Sequence, residues 1–291
     1  MRMRDLLLGV LVTVIWGSNF SVIEVGLRDL DPFLLTALRF LMTALPLIFF
    51  FRRPANVPLA AVAGYGILFG VGLWFVVNLA MSQGMSPGLS SLVLQFAVFF
   101  TLLLSALVFD ERIHRPQVVG MVLAVGGLLL VIGYTQGAAT VRGALLVLLA
   151  ALSWSVCNLL VKRYKPADML AFIVWSSAFA APALLLLTAW VRGAAPFVAL
   201  GHGVTLAAVG SILFQAYVTT IFGYSVWNTL MKTYPAATVA PLSLLVPVSG
   251  IATSWLVFDE HFAPGVWGGV GVMLCGVVVF VLAPRWGRRV R

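Results

Sequence analysis

The chain has 291 residues, 62% of them hydrophobic and 9% charged, with a mean hydropathy of +1.08. A soluble domain carries about a quarter charged residues, so these few charges cannot cover a water-facing surface of this size, and lipid is the alternative solvent. The net charge of +9 does not point to nucleic acid: a nucleic-acid groove interleaves aromatics with its cations, whereas these cations sit at the ends of apolar runs.

A helix crossing the hydrocarbon core needs about 20 mostly apolar residues, and the chain divides into ten such spans. The first, Leu6–Val25, carries Trp16 and Asn19 on one helical face. Its basic-then-apolar start looks like a signal peptide, but no small-residue cleavage site follows and the apolar run continues past Trp16. The second, Phe33–Phe51, contains Arg39 and Pro46. The third, Leu59–Met81, places Trp74 and Asn78 on one face and holds the small-xxx-small pair Gly66 and Gly70. The fourth, Leu89–Val108, offers Gln95 with Phe99 one turn on. The fifth, Gln117–Gly133, is apolar and glycine-rich.

The sixth span, Val141–Val161, puts Trp154 and Asn158 on one face, and the seventh, Leu170–Val191, contains Pro182. The eighth, Val204–Leu230, bears Tyr217, Ile221, Tyr224 and Asn228 as one predicted stripe, with Gln215 beside it. The ninth, Thr238–Val257, contains Pro241 and Pro247. The tenth, Val266–Leu282, is glycine-rich like the fifth, with Gly265 and Gly269 as a further small pair.

The five residues LVFDE close the fourth span at 107–111 and return unchanged at 256–260, closing the ninth. Five spans per half force the second half to enter the membrane the other way up. The expected architecture is therefore all-α and polytopic: two inverted five-helix repeats, residues 1–137 and 138–291. Trp16 and Trp154, and Pro46 and Pro182, are weaker echoes. The acids of each LVFDE read as stops and caps at helix ends. Of 18 Lys and Arg, 14 fall on the side of the N-terminus and 3 on the other, with Arg39 undecided inside a span. This bias predicts cytoplasmic termini.

Polar side chains in a bilayer are costly and face the bundle interior or a cavity. The alternative is helix glue, each bond worth about 0.6 kcal/mol. As a set, Trp16, Asn19, Trp74, Asn78, Gln95, Phe99, Trp154, Asn158, Tyr217, Tyr224 and Asn228 predict a substrate pocket. Pro46, Pro182 and Pro247 predict bends that serve as gates, or fixed kinks. Spans five and ten read as scaffold or as a dimer surface. The expected assembly is a monomer or a weak homodimer in membrane lipid.

None of the nine acids is at the centre of a span, Glu24 coming closest, and His114, His202 and His261 lie in links. No proton relay is evident. With no Lys or Arg assigned to the membrane centre, phosphorylated sugars are disfavoured and a net-neutral solute is expected. A zwitterionic amino acid would set its ammonium on aromatic faces and its carboxylate on amide N–H groups. Cys157 and Cys275 offer neither a disulfide framework nor metal-ligand spacing. There is no Ser-His-acid set and no HExxH, so no catalytic residue, metal or cofactor is expected.

The segments VIWGSNFSVIEVGL (14–27), LRF (38–40), PGLSSLVLQ (87–95), FDER (109–112) and APLSLLVPV (240–248) resemble the drug/metabolite transporter superfamily, specifically its ten-helix EamA-type exporters. The resemblance spans essentially the whole chain and extends to bacterial exporters of amino acids and cysteine-pathway metabolites, the YddG type among them. It implies a bacterial inner-membrane carrier that exports amino acids by alternating access; the lack of a central acid adds that transport is facilitated and not proton-coupled. The alternatives are export of uncharged toxic compounds, or a sensor or assembly protein that transports nothing.

Overall fold

The computed structural model describes residues 1–109, 115–134, 141–234, 239, 242–243 and 245–286, the side chains of 102, 132, 228, 231, 232, 277 and 280–286 excepted. Regular structure among the described residues is entirely helical. Helix α1 is Met3–Leu27, α2 is Pro32–Ala44, α3 is Leu59–Ser82 and α4 is Pro87–Phe109. Then come α5, Arg115–Tyr134, α6, Val141–Tyr164, and α7, Met169–Arg192. A short helix, Ala195–Gly201, leads into α8, built of Leu206–Leu213, Phe214–Gly223 and Tyr224–Thr233. Helices α9, Leu245–Phe258, and α10, Pro264–Trp286, follow.

Among the described residues six helices, α1, α3, α4, α6, α7 and α8, are long and apolar enough to cross a membrane. At 1.5 Å per residue, α1 reaches about 38 Å, more than the roughly 30 Å hydrocarbon core. The surface chemistry is inside-out. Leu7, Leu129, Leu145, Leu186 and Trp267 are exposed, while Asn19, Arg39, Asn78 and Gln215 are fully buried. Water would favour the reverse distribution; lipid favours this one.

Local signals start several helices. Asp31, Ser86, Asp168 and Thr205 each accept a hydrogen bond from a backbone N–H in the first turn of α2, α4, α7 and α8. Such caps satisfy donors that have no partner within the helix. Pro32 and Pro87 follow two of these caps, at positions where a missing N–H costs nothing.

Helix α1 packs on α8 and α9, α2 on α7, α3 on α6 and α7, and α4 on α6 and α9. The pair α5 and α10 packs through glycine: a Cβ on Gly127 would stand 2.4 Å from the Met273 backbone nitrogen, and one on Gly269 2.8 Å from that of Val131. Backbones in direct contact maximise dispersion where no hydrophobic force operates between helices. Gly269 thus faces α5 of its own chain. Gly66 likewise lies against α7, where an added Cβ would meet the Ser176 carbonyl oxygen at 2.1 Å.

The first LVFDE copy puts Phe109 under the Lys162 ammonium (4.7 Å), and the second puts Phe258 under the Arg28 guanidinium (4.9 Å). Lys162 lies at the end where Asn56 donates to the Lys165 carbonyl (3.1 Å). Arg28 lies at the other end, where Asp31 pairs with Arg192 (3.0 Å) and Thr205 donates to Asp29. Helix α7 runs between the two ends, from its Asp168 cap to Arg192. The two copies therefore close helices at opposite ends of the bundle. Asp110 and Glu111 lie outside the described residues.

The prolines depart from expectation in two of three places. Pro46 does not bend a continuing helix: α2 stops at Ala44 and residues 45–50 run on as turns, because a proline within a helix loses a bond and clashes with the preceding turn. Pro247 occupies the first turn of α9, where its absent N–H disrupts nothing. Of the three, Pro182 alone lies past the first turn of a helix, and α7 passes through it. Helix α4 breaks instead at Leu94–Gln95, without proline.

Two stretches widen to π geometry, Leu68–Phe75 in α3 and Phe214–Gly223 in α8. A π turn takes an extra residue, which rotates the following side chains and frees backbone groups; such turns occur often at functional sites.

Candidate substrate-binding site

The site grows from the segment Trp16-Gly17-Ser18-Asn19 of α1. Its side chains leave the helix in different directions. The Trp16 indole N–H donates to the Thr219 carbonyl oxygen in the π turn of α8 (3.1 Å). Asn19 accepts from the Thr219 hydroxyl through Oδ1 (2.9 Å). Gly17 faces α9, where a Cβ would stand 2.0 Å from Ser249 Oγ and 2.3 Å from the Val246 carbonyl oxygen. One tetrapeptide thus binds α1 to both neighbours.

Helix α2 contributes Arg39, which is fully buried. Its Nε and Nη2 donate to Thr220 Oγ1 (3.2 and 3.0 Å), and Nη1 donates to Gln215 Oε1 at 3.5 Å. The guanidinium lies over the Trp74 ring, 4.0 Å from its centroid. Thr220 passes its own proton to the Gln215 carbonyl, five residues back (2.8 Å). Gln215 in turn donates to Ser211 (3.0 Å), which donates to the Val22 carbonyl of α1 (2.6 Å). The widened turn of α8 is therefore the junction that receives both α1 and α2.

One turn from Arg39, Thr36 donates its proton to the Pro32 carbonyl (2.7 Å) and accepts from Asn78 Nδ2 of α3 (2.8 Å). Because the Thr36 proton is committed, Asn78 must present its NH2 there. Asn78 Oδ1 is left buried without a partner, as is Asn19 Nδ2. Aromatic rings enclose the cluster. Trp16 lies 4.9 Å from Tyr224 and 5.2 Å from Trp227, Phe69 lies 5.3 Å from Tyr224, and Phe20 lies 6.2 Å from Trp74.

Of the predicted site residues, Trp16, Asn19, Trp74, Asn78 and Tyr224 come together here. Tyr217 does not: it is half-buried, while Gln215, Thr219 and Thr220 are buried. The expected stripe through Tyr217 assumed a regular α-helix, and the π turn rotates it away, bringing Gln215 inward. Asn228 lies outside the described side chains. Gln95 is buried at the break in α4. Phe99 packs edge-on against Phe96 (5.3 Å) and lines an apolar cleft of about 460 Å³ with Met121 and Leu148. Trp154 is half-buried, and Asn158 is exposed, donating to Thr101 Oγ1 across the α6–α4 contact (3.2 Å).

Arg39 is the main correction. The sequence reading left it undecided and assigned no cation to the membrane centre, yet it is the largest fully buried side chain. The sign available in the sequence was a charge eight positions into a helix capped by Asp31-Pro32, with apolar residues on both sides. Thr219 and Thr220 were also missed, since hydroxyls in an apolar run are unremarkable until the π turn points them inward.

Exposed apolar faces around a buried polar and aromatic centre define a multi-pass membrane protein. The chain belongs to the EamA-like transporter family, whose model matches residues 3–133 and again 141–282; it is a transporter and not an enzyme. It is 36% identical to a "Probable amino-acid metabolite efflux pump" of Escherichia coli, covering 100% of this chain and 99% of that one. It is 38% identical to the protein of the same description from Salmonella typhimurium, with the same coverage. A solved structure described only as "Crystal structure of protein" shares the fold, with a TM-score of 0.63 at 20% identity over 97% of this chain and 99% of that chain.

Proposed function

We propose that this protein exports amino acids and related small metabolites across the bacterial inner membrane by alternating access. The carrying observation is the buried centre: Trp16, Asn19 and Arg39 of α1 and α2 bond to one widened turn of α8, and α3 adds Trp74 against Arg39 and Asn78 against Thr36. Buried polar groups in lipid are expensive and mark solute pathways. The efflux pumps at 36% and 38% identity support the substrate class.

The architecture we infer is two inverted five-helix repeats, residues 1–137 and 138–291, with both termini cytoplasmic. Three observations support it. The family model matches twice in succession. The paired contacts of Phe109 with Lys162 and of Phe258 with Arg28 lie at opposite ends of the bundle. The π segments fall in α3 and α8, the third helix of each proposed half. Rocking of one half against the other exposes a site at their interface to each side in turn. In the described conformation the Trp16, Asn19 and Arg39 bonds tie α1 and α2 to α8.

Transport is facilitated and not proton-coupled in this reading. Among the described residues, no fully buried polar side chain is an acid, and a proton-driven carrier needs a titratable group reached from both sides. Counterflow in proteoliposomes tests the function: vesicles loaded with unlabelled amino acids should accumulate labelled ones transiently. No counterflow with any amino acid would refute the reading.

A further inference from the structure

We infer that Arg39 is the anion-recognising group of the transport site, and that the carried solutes share a carboxylate. The inference rests on the export reading above and names what the site requires of its substrate. It also replaces the expectation of a site without charge.

The first ground is uncompensated charge. Among the described residues no carboxylate lies within ion-pair distance of Arg39; its partners are the neutral Thr220, Gln215 and the faces of Trp74 and Phe40. A buried charge is strongly penalised unless an opposite charge and hydrogen bonds compensate it. A guanidinium keeps its proton under all ordinary conditions, so the protein does not escape the penalty by neutralising it. A ligand carboxylate supplies the missing charge, and its two oxygens match the guanidinium fork.

The second ground is an excess of donors. Arg39 has five N–H groups and its three bonds leave two without an acceptor among the described residues. Asn19 Nδ2 is also buried without a partner. Asn19 and Arg39 reach α8 at the consecutive residues Thr219 and Thr220, which brings both side chains to one stretch of that helix. The opposite valence is also present: Asn78 Oδ1 is a buried acceptor with no donor, one α3 turn from Trp74. A carboxylate on Arg39 and Asn19, with a donor such as an amino or amide N–H on Asn78, satisfies all three.

The arrangement also couples binding to opening. Arg39 now holds α2 to α8 through the Thr220 hydroxyl. A carboxylate is a stronger acceptor than a hydroxyl and draws the guanidinium toward its own oxygens, so binding loosens the α2–α8 tie.

The test uses proteoliposomes loaded with amino acids, their carboxamides and their N-acetyl derivatives, with efflux of each read by mass spectrometry. Wild-type protein should release amino acids and N-acetyl amino acids at least tenfold faster than the carboxamides, which keep the side chain and lose the carboxylate. Arg39→Gln should abolish that preference, and Arg39→Lys should keep part of it. Carboxamides leaving as fast as their parent acids from wild-type vesicles would overturn the inference, and that comparison needs no variant to fold. A folded Arg39→Gln protein with unchanged preference for acids would overturn it as well. If wild-type vesicles release none of the compounds, the export reading itself falls, and this inference with it.

Discussion

The Arg39 guanidinium lies over Trp74, 4.0 Å from the ring centroid, with neither residue open to the surface. Helix α2 supplies the charge and α3 supplies the face, four residues before Asn78. A desolvated cation on an indole gains about 2 kcal/mol or more, which offsets part of the burial penalty while leaving the positive charge in place. Trp74→Ala removes that face and opens a void beside the cation. Transport by Trp74→Ala should fall at least tenfold, whereas Leu129→Ala, on the lipid-facing side of α5, should transport like wild type. Flux normalised to folded protein in the membrane is the measurement; equal flux from both variants would mean the cluster only packs helices.

The widened turn of α8 is the second point of leverage. Thr220→Val keeps the volume and removes the acceptor for two Arg39 bonds. An unpartnered buried donor costs about 1–3 kcal/mol, more when charged. The variant should melt at a lower temperature in detergent, and added amino acid should restore more stability to it than to wild type. An unchanged melting temperature would show that the α2–α8 tie carries no stability.

Close contact of α1 with α9 depends on Gly17. A methyl group there would lie inside contact distance of Ser249 Oγ and the Val246 carbonyl, and a backbone oxygen cannot rotate away. Overpacking costs about 1–3 kcal/mol even where side chains yield, so Gly17→Val should reach or exceed the upper end. The expected result is little folded protein by size-exclusion fluorescence. Gly133→Val, where an added Cβ meets nothing within 4 Å, should fold normally.

Topology makes a separate prediction. Lys165→Cys and His202→Cys, each in a background with Cys157 and Cys275 replaced, should react with an impermeant thiol reagent from opposite sides of the membrane. His202 should be the one labelled on intact cells. Reaction of both from the same side would show that α7 does not cross the membrane and would refute the ten-span layout.

Energy coupling is tested with an imposed pH gradient. Glu24 is a half-buried acid of α1, set beside Arg28 near the C-terminal end of the helix. Wild type and Glu24→Gln should equilibrate a neutral amino acid to the same level with or without the gradient. Gradient-driven accumulation in wild type that disappears in Glu24→Gln would make this a proton-coupled carrier.

Several features followed from the order of residues alone. Runs of about 20 apolar residues separated by charged links specify membrane-crossing helices, because lipid leaves the backbone no partner but itself. The returning LVFDE marked two helix ends, and spacing of three or four put Trp16 with Asn19 and Trp74 with Asn78 on shared faces, where the structure finds them. Composition marked α5 and α10 as glycine-rich scaffold or dimer faces, and the fold pairs them with each other. Tertiary structure decided the rest. The stripe through Tyr217 failed because the π turn of α8 changes the period within a single helix, and no local signal in Phe214–Gly223 announces an extra residue per turn. Asn158 and Trp154 had the same local pattern as the α1 pair, yet α6 turns Asn158 toward Thr101 on α4, a choice made by which helices pack together. Arg39 was visible as a charge within an apolar run, but whether such a charge reaches a helix end or remains in the core depends on its neighbours. Only the fold could show that its neighbours are the Thr220 hydroxyl, the Gln215 amide and an indole, with no acid among the described residues to pair it.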